Sequence, residues 1–212
     1  SRCKIVWNDY KKLKCKNRIR NLKIYLINIA SMFLNSIKKE KEKIGKTLNY
    51  EVMCVSDLKL EVDNIDKILS LVPDLQGEYC HVVPDNMDVL NKPNYIHLSK
   101  IGIGSSFKVL WKSLKSLGFK YPAFNIKEFK IDFDICSVKF ALATEILNFE
   151  TRVNSICNTV SLLKNKPKFL VTSMTYGMDI ISCHTAARIN DMKHINLQGV
   201  SMSSKKFPYY DL

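Results

Sequence analysis

The sequence predicts an α+β protein: a single compact domain with a mixed or antiparallel sheet packed by three to four helices, preceded by a basic strand-helix segment. Three observations lead to this fold class. Hydrophobic residues make up 46% of the 212 residues, which is enough for an ordinary core. Segments with alternating apolar residues and segments with helical spacing follow one another without a regular βαβ rhythm. No apolar run is long enough to predict a membrane-spanning helix.

The first quarter of the chain forms the predicted basic segment. Apolar and polar residues alternate between Cys3 and Trp7 and again over residues 12–16, which predicts a strand. Residues 18–43 then carry apolar side chains at helical spacing, so a helix is expected there. The expected division of the chain is therefore 1–46 for the basic strand-helix segment and 47–212 for the α+β core with its short tail.

In the core, alternation predicts strands, and apolar residues three and four apart predict helices. The predicted strands are 50–62 with a bend at Asp57, 78–83, 95–98, 129–142, and a hairpin of 169–174 with 178–183. The predicted helices are 63–72, 107–117 and 149–164, the last with Asn148 as its N-cap. In the second of these, Phe107, Leu110, Trp111 and Leu114 share one face, which we expect to pack on the core.

The positive charge is concentrated near the N-terminus. The formal net charge is +13, yet residues 1–50 alone carry 14 Lys and Arg against three acidic residues. A block of this kind predicts an anionic partner such as nucleic acid, an acidic lipid surface or an acidic protein. Lys outnumbers Arg 28 to 5, which favours phosphate or headgroup contacts over the reading of base edges. The expected contact residues are Lys11, Lys12, Lys14, Lys16, Arg18, Arg20, Lys38, Lys39, Lys41, Lys43 and Lys46.

The seven cysteines are odd in number, form no CxxC pair and mostly occupy apolar stretches. Reduced thiols that pack as small hydrophobic side chains are therefore expected, and with them a reducing compartment.

Sequence patterns for catalysis or cofactor binding are weak. Gly102 to Ser106 leads into a helix but lacks the spacing of a phosphate-binding loop, so a plain loop with an N-cap is expected. Asp132 and Asp134 fall on one face of a predicted strand, where a solvated face is the simpler interpretation. The pairs Cys80-His81 and Cys183-His184 suggest zinc, but neighbours in a strand point to opposite faces. We therefore predict no catalytic residue, no cofactor and no metal.

The order of elements also carries a resemblance. A basic start, a strand and a helix lead through short strands to Phe124-Asn125-Ile126, then to an alternating strand through Phe140, a helix and a hairpin. In a basic, cysteine-containing chain of this length, that order resembles the matrix proteins of rhabdoviruses. The family's proline-tyrosine budding motif is not in this chain, and no functional residue carries over.

The resemblance implies a non-enzymatic structural protein that self-associates and bridges a nucleocapsid and acidic inner-leaflet lipid. It implies a location in the virion and host cytoplasm, peripheral at the membrane. Tyr209 and Leu212 at the tail match a short linear motif that sorting or budding adaptors accept, and a packed or frayed terminus is the alternative interpretation. Two other functions stay open: an RNA-binding subunit of a ribonucleoprotein such as a ribosome, and an enzyme that depends on a nucleotide or metal.

Overall fold

The fold is taken from a computed structural model that describes residues 2–37, 50–71, 78–84, 87, 94–119, 135–173 and 178–197. Its helices are α1 (Arg2–Ile37), α2 (Lys59–Leu69), α3 (Ile103–Leu117), α4 (Ile135–Leu162) and α5 (Met178–Ile189). Its strands are β1 (Val52–Val55), β2 (Tyr79–Val83), β3 (Tyr95–His97), β4 (Phe169–Thr172) and β5 (Lys193–Asn196). The combination of helices with a sheet is the one that the sequence predicts.

The five strands form one sheet in the order β3-β2-β1-β4-β5, and every described pair is parallel. The antiparallel form of the prediction is therefore wrong. The central strands show why the sheet is parallel: all four residues of β1 are buried, as are three of the four residues of β4. A strand that is buried on both faces is typical of a parallel sheet covered by helices on its two sides.

The chain divides into two compact units. The helical unit consists of Ser1–Lys39 with Ile101–Thr151, and the sheet unit consists of Glu40–Lys100 with Arg152–Leu212. The predicted boundary at residue 46 lies outside the described residues.

Each unit has its own apolar core. In the sheet unit, residues of β1 and β4 pack against α2, and the buried cluster is Val52, Cys54, Ile65, Leu69 and Val171. In the helical unit, α1, α3 and the first part of α4 meet around Met32, Ile101, Val109 and Leu147. Burial of such side chains contributes about 1.5–3 kcal/mol each, so these clusters are the main stabilising element of each unit.

Two predicted strands are wrong because they are helical. The predicted strand over 1–16 is the start of α1, which is a continuous helix of 36 residues. Its Lys, Leu and Arg side chains favour a helix, and short alternation in such a sequence carries little weight. The predicted strand over 129–142 is wrong from Ile135 onward, where α4 begins. Residues 129–134 lie outside the described residues.

Three boundaries also differ from the prediction. The strand that starts at 50–52 ends at Val55, and α2 begins at Lys59, so Leu60 and Val62 are helical. Glu61 explains this start, since its Oε2 accepts hydrogen bonds from the backbone N–H of Asp57 (2.7 Å) and Leu58 (3.1 Å). Asn148 caps nothing, because it lies inside α4.

The predicted hairpin at the end of the chain is also wrong. β4 forms as expected, but Met178 to Cys183 begins α5, whose buried residues include Ser182, Cys183, Ala186 and Ala187. These four buried residues lie three or four apart in pairs, the spacing of one helix face, whereas alternate residues would be buried in a half-buried strand.

Candidate functional site

The strand order places a reversal of chain direction at the centre of the sheet. From β1 the chain moves outward through β2 to β3, and it later returns to the other side of β1 to form β4 and then β5. In open parallel sheets of this kind, ligands bind outside the carboxyl ends of the strands at this reversal. Here the reversal lies between β1 and β4, so the residues that follow these two strands are the candidates for a binding site.

A bidentate ion pair lies at the carboxyl end of β1. Asp57 follows β1 after one residue, and Arg152 of α4 donates to both of its carboxylate oxygens, with Nη1–Oδ1 at 3.0 Å and Nη2–Oδ2 at 2.8 Å. The Arg152 side chain is only 16% exposed. Burial acts to lower the pKa of Arg152, but the charge and hydrogen bonds of Asp57 outweigh it and raise that pKa. The guanidinium is therefore fixed in place and charged.

Two further carboxylates surround this pair. Asp179, in the first turn of α5, has Oδ1 3.6 Å from Nε of Arg152. Glu61 binds the backbone N–H groups of Asp57 and Leu58 at the start of α2. α2 and α5 thus each have a carboxylate in the first turn, where it interacts favourably with the positive end of the helix dipole. With three carboxylates and one guanidinium, the site is acidic.

Two buried serines follow the two central strands. Ser56 follows β1 directly and is fully buried, and Ser173 follows β4 and is 8% exposed. Neither Oγ has a hydrogen-bond partner among the described residues. A buried hydroxyl without a partner lowers the stability of the folded protein by about 1–3 kcal/mol. Two such hydroxyls at the ends of the two central strands therefore need an explanation.

The side chain of Thr172, the last residue of β4, is hydrogen-bonded by contrast. The hydroxyl of Thr172 donates to Oδ1 of Asn196 at 3.0 Å, and its oxygen lies 3.0 Å from Nε2 of His194. Burial, followed by the charge of His184, lowers the pKa of His194. These hydrogen bonds join β5 to β4, so we assign these polar side chains a structural role.

The described buried thiols are unsuited to act as nucleophiles at neutral pH. Burial raises the pKa of Cys183 to about 11 and that of Cys80 to about 12. The six described cysteines are all free thiols. The side chain of His81 in β2 contacts α2, with Nε2 2.7 Å from Oδ1 of Asp66. Among the described residues, no group of three or more His, Cys, Asp or Glu side chains could hold a metal ion.

The residues predicted to bind an anionic partner are placed as follows. Lys11, Lys12, Lys14, Lys16, Arg18 and Arg20 all lie on α1, and the last three are exposed. Lys38, Lys39, Lys41, Lys43 and Lys46 lie outside the described residues, as do Asp132, Asp134, Tyr209 and Leu212. Gly102 is the N-cap of α3 and Ile103 to Ser106 are already helical, so the predicted loop over these residues is wrong. Across the described ranges, no helix is both long and apolar enough to cross a bilayer.

Sequence reasoning missed the group at the strand ends. Asp57 and Arg152 are far apart in the chain, and no spacing connects them. The sequence does contain one signal: Ser56 and Asp57 come directly after an apolar run, Val52 to Val55, as polar residues do at the carboxyl end of a buried strand.

Comparison of the chain with protein-family models, curated proteins and solved structures gives no match.

Proposed function

We propose that the sheet unit binds a small, hydroxyl-rich molecule, such as a sugar ring or the ribose of a nucleoside, at the carboxyl edge of the sheet. The observation that supports it is the coincidence of two features at one place. The chain reversal between β1 and β4 marks this edge, and the unpartnered Ser56 and Ser173 directly follow these two strands. Asp57 comes after Ser56 and is paired with Arg152.

The charges favour hydroxyl groups over an anion. Glu61 and Asp179 occupy the two helix starts at this edge, and a phosphate would meet carboxylates where it needs free N–H groups. Carboxylate oxygens accept hydrogen bonds from vicinal hydroxyls, whereas a guanidinium and a serine hydroxyl donate to their oxygens. Asp57 is 31% and Asp179 58% exposed, so both carboxylates are open to solvent.

The test is a titration of the ¹⁵N-labelled protein with glucose, adenosine and inorganic phosphate, followed by amide chemical shifts. We expect glucose or adenosine to shift the amides of Ser56, Asp57 and Ser173, and phosphate to leave them unchanged. Asp179→Asn should weaken the response, because it removes an accessible acceptor with little effect on folding. The matched control is Asp191→Asn, whose carboxylate is 90% exposed and bonded to Lys166. Shifts with phosphate alone would contradict the proposal.

A second function, binding to an anionic partner by the N-terminal region, is supported by one specific observation. The Lys16, Arg18 and Arg20 side chains are exposed on α1. The matrix-like assembly role and the alternative of an RNA-binding subunit stay predictions. Electron microscopy of the purified protein for ordered assemblies tests the first. Binding to single-stranded RNA over a salt series tests the second, since each neutralised phosphate changes the salt slope by about 0.7.

A further inference from the structure

Helix α3 is oriented opposite to the expectation from its hydropathy. The sequence predicts that Phe107, Leu110, Trp111 and Leu114 pack on the core, but of these only Leu110 packs against it. The exposed apolar side chains of α3 are Ile103 (50%), Phe107 (60%), Trp111 (61%) and Leu114 (41%). At about 100° per residue, these four side chains fall within an arc of about 80°. The prediction of burial is therefore wrong for Phe107, Trp111 and Leu114, and the helix presents these three residues and Ile103, together the α3 stripe, to solvent.

Buried serines hold α3 in this orientation. Ser113 donates to the carbonyl oxygen of Ala143 at 2.9 Å and lies 2.8 Å from the hydroxyl of Tyr25. Ser106 lies 2.7 Å from Oγ of Ser36, and Ser106 and Ser113 are both fully buried. Small side chains let helices approach closely, and a buried hydroxyl that lost these bonds would be costly. These contacts fix the rotation of α3 about its axis, and the α3 stripe therefore faces outward.

Cations border the α3 stripe. Lys108, Lys112 and Lys115 are exposed on the adjacent arc of α3, and Nζ of Lys115 lies 5.5 Å from the ring centre of Trp111. Nζ of Lys112 is bonded to Glu150, which makes Lys108 and Lys115 the lysines of this row that are better placed to meet an anionic partner. A Trp- and Phe-containing apolar face beside a row of lysines is typical of helices that lie in the membrane interface.

Helix α1 continues the same surface. Phe33 of α1 meets Phe107 edge-on, with ring centres 5.1 Å apart, so the two helices are neighbours along the stripe. The outer face of α1 carries exposed cations in its middle and exposed aliphatic residues toward its end. The cations are Lys16, Arg20 and Lys23, and the aliphatic residues are Leu26, Ile27, Leu34 and Ile37.

We infer that the α3 stripe and the outer face of α1 bind the surface of an acidic lipid bilayer. Charge complementarity favours this occupant, because anionic headgroups match the lysines while the acyl boundary accepts Trp111 and the aliphatic residues. A second copy of this surface would bring the same lysines to face one another. A nucleic acid would match the cations but not the aliphatic residues, since its interfaces are predominantly polar.

The experiment uses the full chain carrying Trp7→Phe, so that Trp111 is the remaining tryptophan and can be excited selectively at the red edge of the absorption band. Vesicles of phosphatidylcholine alone are compared with vesicles that also contain phosphatidylserine. We expect co-sedimentation, a blue shift of the emission and quenching by brominated lipid with the acidic vesicles only. Lys108→Gln with Lys115→Gln should weaken vesicle binding about thirtyfold, and Phe107→Ser with Trp111→Ser about tenfold or more, the latter measured by sedimentation.

The matched controls remove similar groups from α2 of the sheet unit. Lys59→Gln with Lys67→Gln removes the same charge, and Leu60→Ser removes a side chain that is 67% exposed. Both controls should bind acidic vesicles as the parent does. Three results would overturn the inference: no binding to either vesicle, protection of Trp111 from acrylamide in the dilute lipid-free protein, or protection that accompanies a doubling of mass. The second result would assign the surface to this chain itself, and the third to a second copy.

Discussion

Asp57→Asn is the substitution that most directly tests the geometry at the end of β1. The change keeps the shape of the side chain but removes its charge and one acceptor of the bidentate pair with Arg152. Asp179 then remains as a carboxylate near the guanidinium, with 3.6 Å between Nε and Oδ1. The folded state should lose stability because a largely buried cation loses its main counter-charge.

The magnitude follows from the exposure of the two partners. A fully exposed pair contributes about 0–1 kcal/mol, and removing one partner of a buried pair costs about 3–5 kcal/mol. Arg152 is 16% and Asp57 31% exposed, so the pair lies between these limits. One charge-assisted hydrogen bond is worth about 1.5–3 kcal/mol, and we expect a loss of about 2 kcal/mol in the free energy of unfolding. For a chain of this length that is about 4–8 °C in Tm.

The assay is urea unfolding at neutral pH, with Arg152→Met and the double variant completing a mutant cycle. Asp191→Asn is the matched control, because it makes the same chemical change in an exposed pair with Lys166 at 3.1 Å. Asp191 also has φ 48, a conformation that Asn tolerates, so this control should change stability by about 0.5 kcal/mol or less. Equal effects of the two substitutions, or a coupling energy near zero, would refute the reasoning.

Three other predictions follow from the described contacts. Because the pKa of His194 is lowered by burial and by His184, the folded protein resists its protonation, and the free energy of unfolding should fall as pH decreases below 6.5; His194→Gln should reduce the difference between urea titrations at pH 7.5 and 5.5. In native protein, iodoacetamide should label the exposed Cys136 rapidly and the buried Cys54 only after unfolding, and equal labelling, read by mass spectrometry, would contradict the burial pattern. Tyr25→Phe removes a hydroxyl 2.8 Å from a buried serine of α3 and should lower the free energy of unfolding by about 1 kcal/mol, measured in urea; no loss would mean that this hydrogen bond contributes nothing.

Hydropathy spacing alone is enough for several elements of this fold. It predicts the strands near 79–83 and 95–97 and the helix that ends at Leu117. It fails for the exposed face of α3, because periodicity shows that a helix has an apolar side but does not show that anything covers it. The buried face of α3 is the one that carries Ser106 and Ser113. Periodicity does not identify it, because these serines are buried through hydrogen bonds to partners in other helices.

The candidate site could not have been assembled from the sequence. Its position depends on the order of the strands, and short apolar segments such as Val52 to Val55 do not specify their neighbours. Arg152 lies in the helix that the sequence predicts over 149–164, but no pattern in the sequence places that helix beside the carboxyl end of β1.

The pairing of β1 with β4 has a consequence for how the protein is made. Val52 pairs with Phe169, so the central ladder of the sheet joins the first and the fourth strand of the chain. During synthesis β1 and β2 emerge long before β4, and until then β1 has one edge with unpaired backbone N–H and C=O groups. Non-local parallel pairing of this kind is intrinsically slow. A nascent chain that stalls between α3 and β4 therefore exposes the most apolar strand of the sheet, which makes this interval the period in which the polypeptide is most prone to aggregate.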